Sequence, residues 1–193
     1  MNRLMKLLVM VFALSFALAL AGSPAAAKET SKEQQRQDVR KMARLTLSKL
    51  YKVQPKAKTA IEKAAGYGVF SNFGMKIFLA GGGSGAGVVV NAATKKETFM
   101  KMVEVQAGLG FGVKKFRVIF VFENQKVLND FVNSGWELGG QTTAAAQVSG
   151  EGAALAGAMA VAPGIWLYQL TEDGLALELT AKGTKYYKDD KLN

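Results

Sequence analysis

Hydrophobic and polar positions alternate most clearly between Val105 and Asn124, and this pattern predicts a central β-hairpin. Glycine alternates with larger apolar residues from Gly108 to Val113, so one face of that strand lacks side chains. A glycine face indicates that another backbone approaches closely or that the sheet bends. Lys114–Lys115 is the predicted turn. The return strand, Phe116 to Phe122, is largely apolar on both faces and is therefore predicted to be central and covered on both sides.

Helical and strand patterns divide the rest of the chain. Helices are predicted from about Ser31 to Tyr51, from Ala57 to Ala65 with Gly66 as the cap, and from Asn124 to Asn133. Strands are predicted near residues 67–71, 76–80, 86–91, 98–105, 108–113, 116–123, 164–171 and 175–181, with one further edge strand in the polar tail. The fold class is α+β, with N-terminal helices packed on a twisted, mostly antiparallel β-sheet or a flattened barrel.

Two glycine-rich segments need separate interpretation. The run Gly81–Gly87 lacks the G-x-G-x-x-G spacing and has no Gly-Lys-Ser/Thr after it, and the residues that follow are a Val88–Val90 strand and not a helix. It is therefore predicted to be a turn with close sheet packing, and not a phosphate loop. The Ala/Gly segment Gly150–Ala162 fits a close-packed helix or a small-residue strand equally well.

The N-terminal residues have the pattern of a secretory signal peptide. Arg3 and Lys6 precede the mostly apolar run Leu7–Ala21, and Ala25–Ala27 offers a cleavage site before Lys28. An uncleaved anchor is the alternative, although ~15 apolar residues are short for a bilayer core of ~30 Å. The predicted organisation is a signal peptide at 1–27, a basic helical arm at 28–63 and a Gly-rich β domain at 64–193. The predicted location is periplasmic or secreted.

The chain has no cysteine and no histidine. This composition excludes disulfides, thiolate chemistry, histidine-based catalytic triads and the usual zinc sites. The candidate acids Glu104, Glu123, Asp173 and Asp189–Asp190 follow no catalytic or calcium-loop spacing, and we interpret them as solvated faces and turn ends. The sequence therefore predicts a protein that is not an enzyme and that has no catalytic residues, metal site or cofactor.

Positive charge is concentrated at the start of the predicted mature chain. Residues 28–63 carry eleven Lys/Arg and four Asp/Glu, a net charge of +7, whereas residues 64–193 carry twelve basic and eleven acidic residues, a net charge of +1. Such asymmetry indicates an anionic partner for the first segment. An exported protein is not expected to meet nucleic acid, so the predicted partner is an anionic phospholipid membrane.

The first predicted helix is amphipathic and basic. Its apolar arc contains Val39, Met42, Ala43, Thr46, Leu47 and Leu50, and its cations lie outside that arc. Two interpretations remain open: an interfacial helix on anionic lipid, or a helix that covers one face of the β domain with its charges in solvent.

From about Leu47 to Asn193 the chain resembles the SYLF domain in the order of five glycine-containing motifs. They are Ala64–Phe70 (A-A-G-Y-G-V-F), Gly81–Gly87, Gly108–Gly112, Gly135–Trp136 and Gly174–Leu175. Eukaryotic SYLF proteins bind phosphoinositide membranes, partly through an N-terminal amphipathic helix, and some bind actin. The resemblance places such a lipid-binding helix on Arg36–Lys58. An exported bacterial chain would not meet actin, so the expected ligand is a bacterial anionic lipid.

The sequence therefore predicts an exported peripheral lipid-binding protein. The alternative is an envelope scaffold or a carrier of small hydrophobic ligands that does not bind membranes directly. The residues predicted to contact lipid are Arg36, Arg40, Lys41, Arg44, Lys49, Lys52, Lys56 and Lys58 for charge and Val39, Met42, Leu47 and Leu50 for insertion.

Overall fold

A computed structural model describes residues 24–77, 80–107, 112–139, 157–171, 174–176 and 183–193. The chain divides into two compact units, residues 1–35 and 36–193. In the first unit the described residues form helical turns, in which Lys32 Nζ lies 3.8 Å from the Glu29 carboxylate. The second unit contains the sheet and the remaining described helical residues.

Three helices and eight strands make up the described part of the chain. The helices are α1 (Pro24–Val53), α2 (Lys56–Lys63) and α3 (Gln125–Ser134). The strands are β1 (Gly66–Ile77), β2 (Ala80–Asn91), β3 (Glu97–Ala107), β4 (Gly112–Phe122), β5 (Trp136–Leu138), β6 (Met159–Ala162), β7 (Ile165–Leu170) and β8 (Thr184–Lys188). The predicted α+β class is confirmed.

All eight strands belong to one sheet in the order β5-β8-β3-β2-β1-β4-β7-β6, and the neighbouring strands run antiparallel. β1 lies between β2 and β4, and pairs with both along almost its whole length. β4 lies between β1 and β7. Because β4 is apolar on both faces, both faces need to be covered.

The face of the sheet beneath α3 holds an aromatic core. Phe116, Val118, Phe120 and Phe122 of β4 all point to this side and are at most 3% exposed. They pack with Leu128, Phe131 and Val132 of α3 and with Phe70 and Tyr186 of the sheet. Ring centroids lie 4.8 Å apart for Phe70–Tyr186 and 5.1 Å apart for Phe120–Phe131, distances at which aromatic pairs add stability beyond their buried area. The predicted alternation along β4 is confirmed.

The opposite face of the sheet is covered by α1 and α2. Ile119 and Val121 of β4 point here, together with Val69, Val88 and Tyr168 of neighbouring strands. The helices contribute Val39, Ala43 and Leu50 from α1 and Ala57 and Ile61 from α2. A second core thus lies between these helices and the sheet.

α3 follows its sequence signals closely. The Asn124 side chain accepts a hydrogen bond from Val127 N at 3.0 Å, which is the predicted N-terminal cap. Gly135 ends the helix with φ of 72°, a conformation that glycine adopts without strain. β7 likewise occupies the predicted segment, and residues 159–162 of the Ala/Gly segment form a strand.

Several predicted boundaries are wrong. α1 begins at Pro24 and not at the predicted Ser31. α2 ends at Lys63 with Ala64 as its cap, and Gly66 is the first residue of β1. The predicted strands at 67–71 and 76–80 are largely one long strand, because β1 runs without interruption to Ile77. β8 is not an edge strand, since it pairs with both β3 and β5.

Both predicted turns in the glycine-rich region are also wrong. Lys114 and Lys115 lie within β4 and pair with β1, and β3 and β4 are not neighbours in the sheet, so the predicted central hairpin is wrong. Residues 108–111 of the predicted glycine strand lie outside the described part of the chain. The run Gly81–Gly87 is a strand throughout, although the predicted close packing is correct there. A Cβ at Gly87 would lie 2.6 Å from Phe70 Cγ, so the Phe70 ring fills the space that a side chain would need.

Candidate functional site

α1 turns its apolar arc toward the sheet. Leu50 is fully buried, Val39 and Ala43 are nearly so, and Thr46 between them is buried with its hydroxyl donating to Met42 O at 2.8 Å. Met42 and Leu47 are partly buried against the same core. The four residues predicted to insert into lipid therefore all contact the protein interior in this structure.

Three of the predicted lipid-binding cations hold the helix in place. Arg36 Nε donates to Leu192 O at 2.9 Å, and Lys49 Nζ donates to Thr171 O at 2.7 Å. Arg40 Nε lies 2.8 Å from the Glu97 carboxylate, and its guanidinium stacks 5.2 Å from the centre of the Phe99 ring. These contacts use charge for docking the helix.

The other predicted lipid-binding cations of α1 point into solvent on the opposite side of the helix. Lys41, Arg44 and Lys52 are exposed and make no ion pair or hydrogen bond with any residue that the structure describes. At 100° per residue these three lie about 130–170° from the centre of the buried arc. From Val39 to Ile61 the sequence contains seven Lys/Arg and no Asp/Glu. The outward face, defined here as Lys41, Arg44, Leu45, Ser48 and Lys52, therefore contains three cations and no carboxylate.

Leu45 is the site residue that the sequence pattern missed. Its exposed fraction is 56%, the highest of the exposed large hydrophobic residues in the described part of the chain. Val53, at the end of the same helix, is 47% exposed. Leu45 falls outside the apolar arc, among the cations. The sequence did contain a signal, because Leu45 is an isolated leucine on a basic helix face. A search for continuous apolar stripes does not detect such a residue.

α2 extends the basic region by one helical segment. Lys56 is exposed at its first residue, and Lys58 Nζ lies 3.9 Å from the Glu62 carboxylate, with both side chains about 60% exposed. An exposed pair of this kind contributes little to stability. Both lysines thus remain accessible to an anionic partner.

A buried polar cluster lies at the opposite face of the sheet. Glu104 is 1% exposed and accepts a hydrogen bond from Asn72 Nδ2, so its interpretation as a solvated strand residue is wrong. Burial, and next the nearby Glu104 carboxylate, raise the pKa of the Tyr186 hydroxyl above its ordinary value. That hydroxyl makes no well-formed hydrogen bond with a described residue, although Thr184 lies near enough to offset part of the rise.

Asp189 lies at a turn, as predicted, and accepts a hydrogen bond from Lys191 N at 3.0 Å, but it is buried and not solvated. Its side chain is 8% exposed and lies 3.0 Å from Lys101 Nζ, so it anchors the C-terminal turn to β3. No group of three or more candidate metal ligands occurs among the described residues. Within the same residues, no helix has both the length and the apolar character needed to cross a bilayer.

Comparison with known proteins adds two findings. Residues 103–193, from β3 to the last residue, match the Ysc84 family, described as Las17-binding protein actin regulator. The chain is also 35% identical, over 154 residues, to Beta cell expansion factor A of Aeromonas veronii. This alignment covers 80% of the chain and 57% of the relative, so the chain spans little more than half the length of the curated protein that it matches.

Proposed function

Because this chain belongs to the SYLF (Ysc84) family, we propose that it is a peripheral protein that binds anionic phospholipid membranes through the outward face of α1. The observation that carries the proposal is the basic surface of Lys41, Arg44 and Lys52, which pair with no described residue, around the exposed Leu45. Each Lys or Arg near an anionic lipid surface contributes about 1 kcal/mol. A single leucine adds shallow insertion between headgroups.

In this proposal the helix binds while it stays docked on the sheet. Leu50, Val39 and Ala43 form part of the second core, and removing them from it would expose a large apolar area of both helix and sheet. The outward face needs no such rearrangement because its residues are already in solvent. Arg36, Arg40 and Lys49 position the helix, and Lys56 and Lys58 extend the basic surface.

The alternative function, a carrier of small hydrophobic ligands or an envelope scaffold, has less support. A carrier would need open space beside the glycines of the sheet. At Gly85 a Cβ would lie 2.8 Å from Met102 Cγ, so neighbouring side chains occupy the space at this glycine, as they do at Gly87. Salt distinguishes the two functions, because exposed charges are screened within ~8 Å at physiological ionic strength whereas apolar ligand binding is nearly indifferent to salt.

The proposal places the chain in the periplasm or outside the cell, with the signal peptide removed before Lys28. The family description names an actin regulator, and we do not extend actin binding to this chain, because an exported bacterial protein would not meet it. No nucleic acid partner is proposed for the same reason. The expected lipids are phosphatidylglycerol and cardiolipin.

Vesicle co-sedimentation of a triple variant tests the proposal. Replacing Lys41, Arg44 and Lys52 with glutamine removes three outward charges and leaves Arg40 and Lys49 in their docking contacts. At about 1 kcal/mol each, the affinity for phosphatidylglycerol vesicles should fall roughly 150-fold, and added salt should weaken the unmodified protein similarly.

The matched control removes the same charge elsewhere. Lys126, Lys185 and Lys191 are exposed and lie outside α1 and α2, and their replacement by glutamine should change vesicle affinity far less. Equal losses in both triple variants would mean that only net charge matters. Unchanged binding by the Lys41/Arg44/Lys52 variant would refute the role of the outward face.

A further inference from the structure

A polar cleft of about 110 Å³ lies between α3 and the adjacent ends of β2, β3 and β8, on the face of the sheet opposite α1. Its apolar floor is formed by Val89, Leu128 and Val132. Six polar residues line its walls: Asn91, Lys96, Thr98, Asn129, Asn133 and Lys188. No acidic residue is among the lining residues, so the two lysines give the cleft a positive potential.

The side-chain NH₂ groups of the three asparagines are available as hydrogen-bond donors. Each side-chain oxygen already accepts from the protein: Asn91 Oδ1 from Ala93 N and Thr94 N at 3.0 Å, Asn129 Oδ1 from Gln125 Nε2 at 3.3 Å, and Asn133 Oδ1 from Lys188 Nζ at 2.9 Å. The three amide NH₂ groups make no hydrogen bond with a described residue. The Asn91 oxygen already accepts two hydrogen bonds and the other two oxygens accept one each, so the three NH₂ groups are the larger share of the remaining hydrogen-bonding capacity.

Thr98 and the two lysines strengthen this donor excess. Thr98 is 8% exposed, and its hydroxyl has no hydrogen-bond partner in the described part of the chain. Lys96 is exposed and pairs with no carboxylate there. Lys188 uses one of its three N–H donors on Asn133. Because this hydroxyl pairs with no described residue, it is available to a ligand or a water in the cleft.

We propose that this cleft binds a small, doubly charged oxyanion of the phosphate or sulfate class. Such an oxyanion accepts several hydrogen bonds through its oxygens. The amide and ammonium N–H groups of the cleft wall can donate these bonds. Its two negative charges match Lys96 and Lys188. The volume suits a tetrahedral oxyanion and is well below the ~300 Å³ at which drug-sized ligand pockets begin.

The proposed ligand is a soluble oxyanion and not a lipid headgroup. Lipid binding is proposed for α1, which lies across the sheet from α3. The cleft is therefore independent of the outward face, and either site could fail without the other.

NMR titration of the full chain with inorganic phosphate and with sulfate, at constant ionic strength, tests the cleft. The side-chain NH₂ signals of Asn91, Asn129 and Asn133 should shift together and saturate. Combining Lys96→Met with Lys188→Met should weaken binding by about tenfold or more, because two charge-assisted hydrogen bonds are lost. Thr98→Val keeps the volume and should weaken binding severalfold, even if the double variant folds poorly. Lys185→Met, on the same strand but outside the cleft, should leave affinity unchanged.

Three results would overturn the proposal. The first is the absence of a saturable shift at the asparagines with either anion, and the second is unchanged affinity in both the lysine and the Thr98 variants. The third concerns the ligand. Acetate, with one charge, should bind more weakly than phosphate, so equal binding would exclude a site for a doubly charged ion. Shifts caused by phosphatidylglycerol vesicles but not by free phosphate would assign the cleft to lipid.

Discussion

At the scale of single residues, the buried hydroxyl of Tyr186 is the clearest departure from ordinary core packing. It lies among aromatic rings beside the buried Glu104–Asn72 pair and makes no well-formed hydrogen bond with a residue that the structure describes. A buried polar atom without a partner carries a desolvation penalty with no compensation. Tyr186→Phe removes that penalty and keeps the ring.

We predict that Tyr186→Phe is at least as stable as the unmodified protein at neutral pH, with a gain of up to ~1–2 kcal/mol. The pKa of this hydroxyl is raised in the folded state. Above the unfolded value of ~10 the hydroxyl ionises in the unfolded chain first, so the free energy of unfolding of the unmodified protein falls as pH rises. The advantage of the variant should therefore grow above that pH. Urea denaturation across pH measures it, with Tyr187→Phe as the control because Tyr187 is 38% exposed. A clear loss of stability at neutral pH would contradict this account.

Gly87 shows why a glycine pattern can be read for packing but not for turns. The glycine run Gly81–Gly87 predicted close sheet packing, whereas the filling of the space by Phe70 depends on the neighbouring strand β1 and is not visible in the local sequence.

Gly87→Ala should destabilise the fold by about 1–3 kcal/mol or more, because the added Cβ overlaps the Phe70 ring and the strand backbone. Ser84→Ala, an exposed position in the same strand, should change the free energy of unfolding by less than ~0.5 kcal/mol. Thermal or urea unfolding of the pair provides the measurement. Equal stabilities would mean that Phe70 can move aside freely.

At the scale of elements, sequence signals succeeded where the chemistry is local. The Asn124 cap and Gly135 stop of α3, and the two-sided apolar pattern of β4, depend on residues close in sequence. The failures involve partners distant in sequence. Lys114 and Lys115 have a turn-like composition but pair with β1. β8 was expected at an edge because the C-terminal tail is polar, but it pairs with β3 and with the three-residue strand β5.

The two leucines of α1 separate docking from surface exposure. Leu50 is fully buried against the sheet and Leu45 is 56% exposed. Leu50→Ala should lower the free energy of unfolding by ~2–5 kcal/mol, whereas Leu45→Ala should change it by less than ~0.5 kcal/mol. Paired urea denaturation compares two identical substitutions on opposite faces of one helix. Similar losses at both positions would refute the described docking of α1.

At the scale of the whole molecule, the distribution of charge along the chain was predictable from the sequence. Which cations contact the protein body and which face solvent was not. Eight cations share the segment Arg36–Lys58, but three of them contact the body of the protein through Leu192, Glu97 and Thr171, which are far away in sequence. The apolar arc was correctly identified, and the sequence left open whether it meets lipid or the sheet. Only the three-dimensional packing shows it against the sheet, leaving Leu45 as the exposed apolar residue of the basic face.

The central claim is that the outward face of a docked α1 contacts the bilayer. The chain has no cysteine, so a single cysteine in place of Leu45 can carry an environment-sensitive fluorophore without competing labels. A matched reporter replaces Lys126, which is exposed on α3 across the sheet.

On phosphatidylglycerol vesicles, emission from position 45 should increase and shift to the blue as the probe leaves water, while emission from position 126 should stay as in buffer. Phosphatidylcholine vesicles should affect neither reporter. If the labelled protein sediments with anionic vesicles while the probe at position 45 remains in water, the outward face is not the membrane-binding surface.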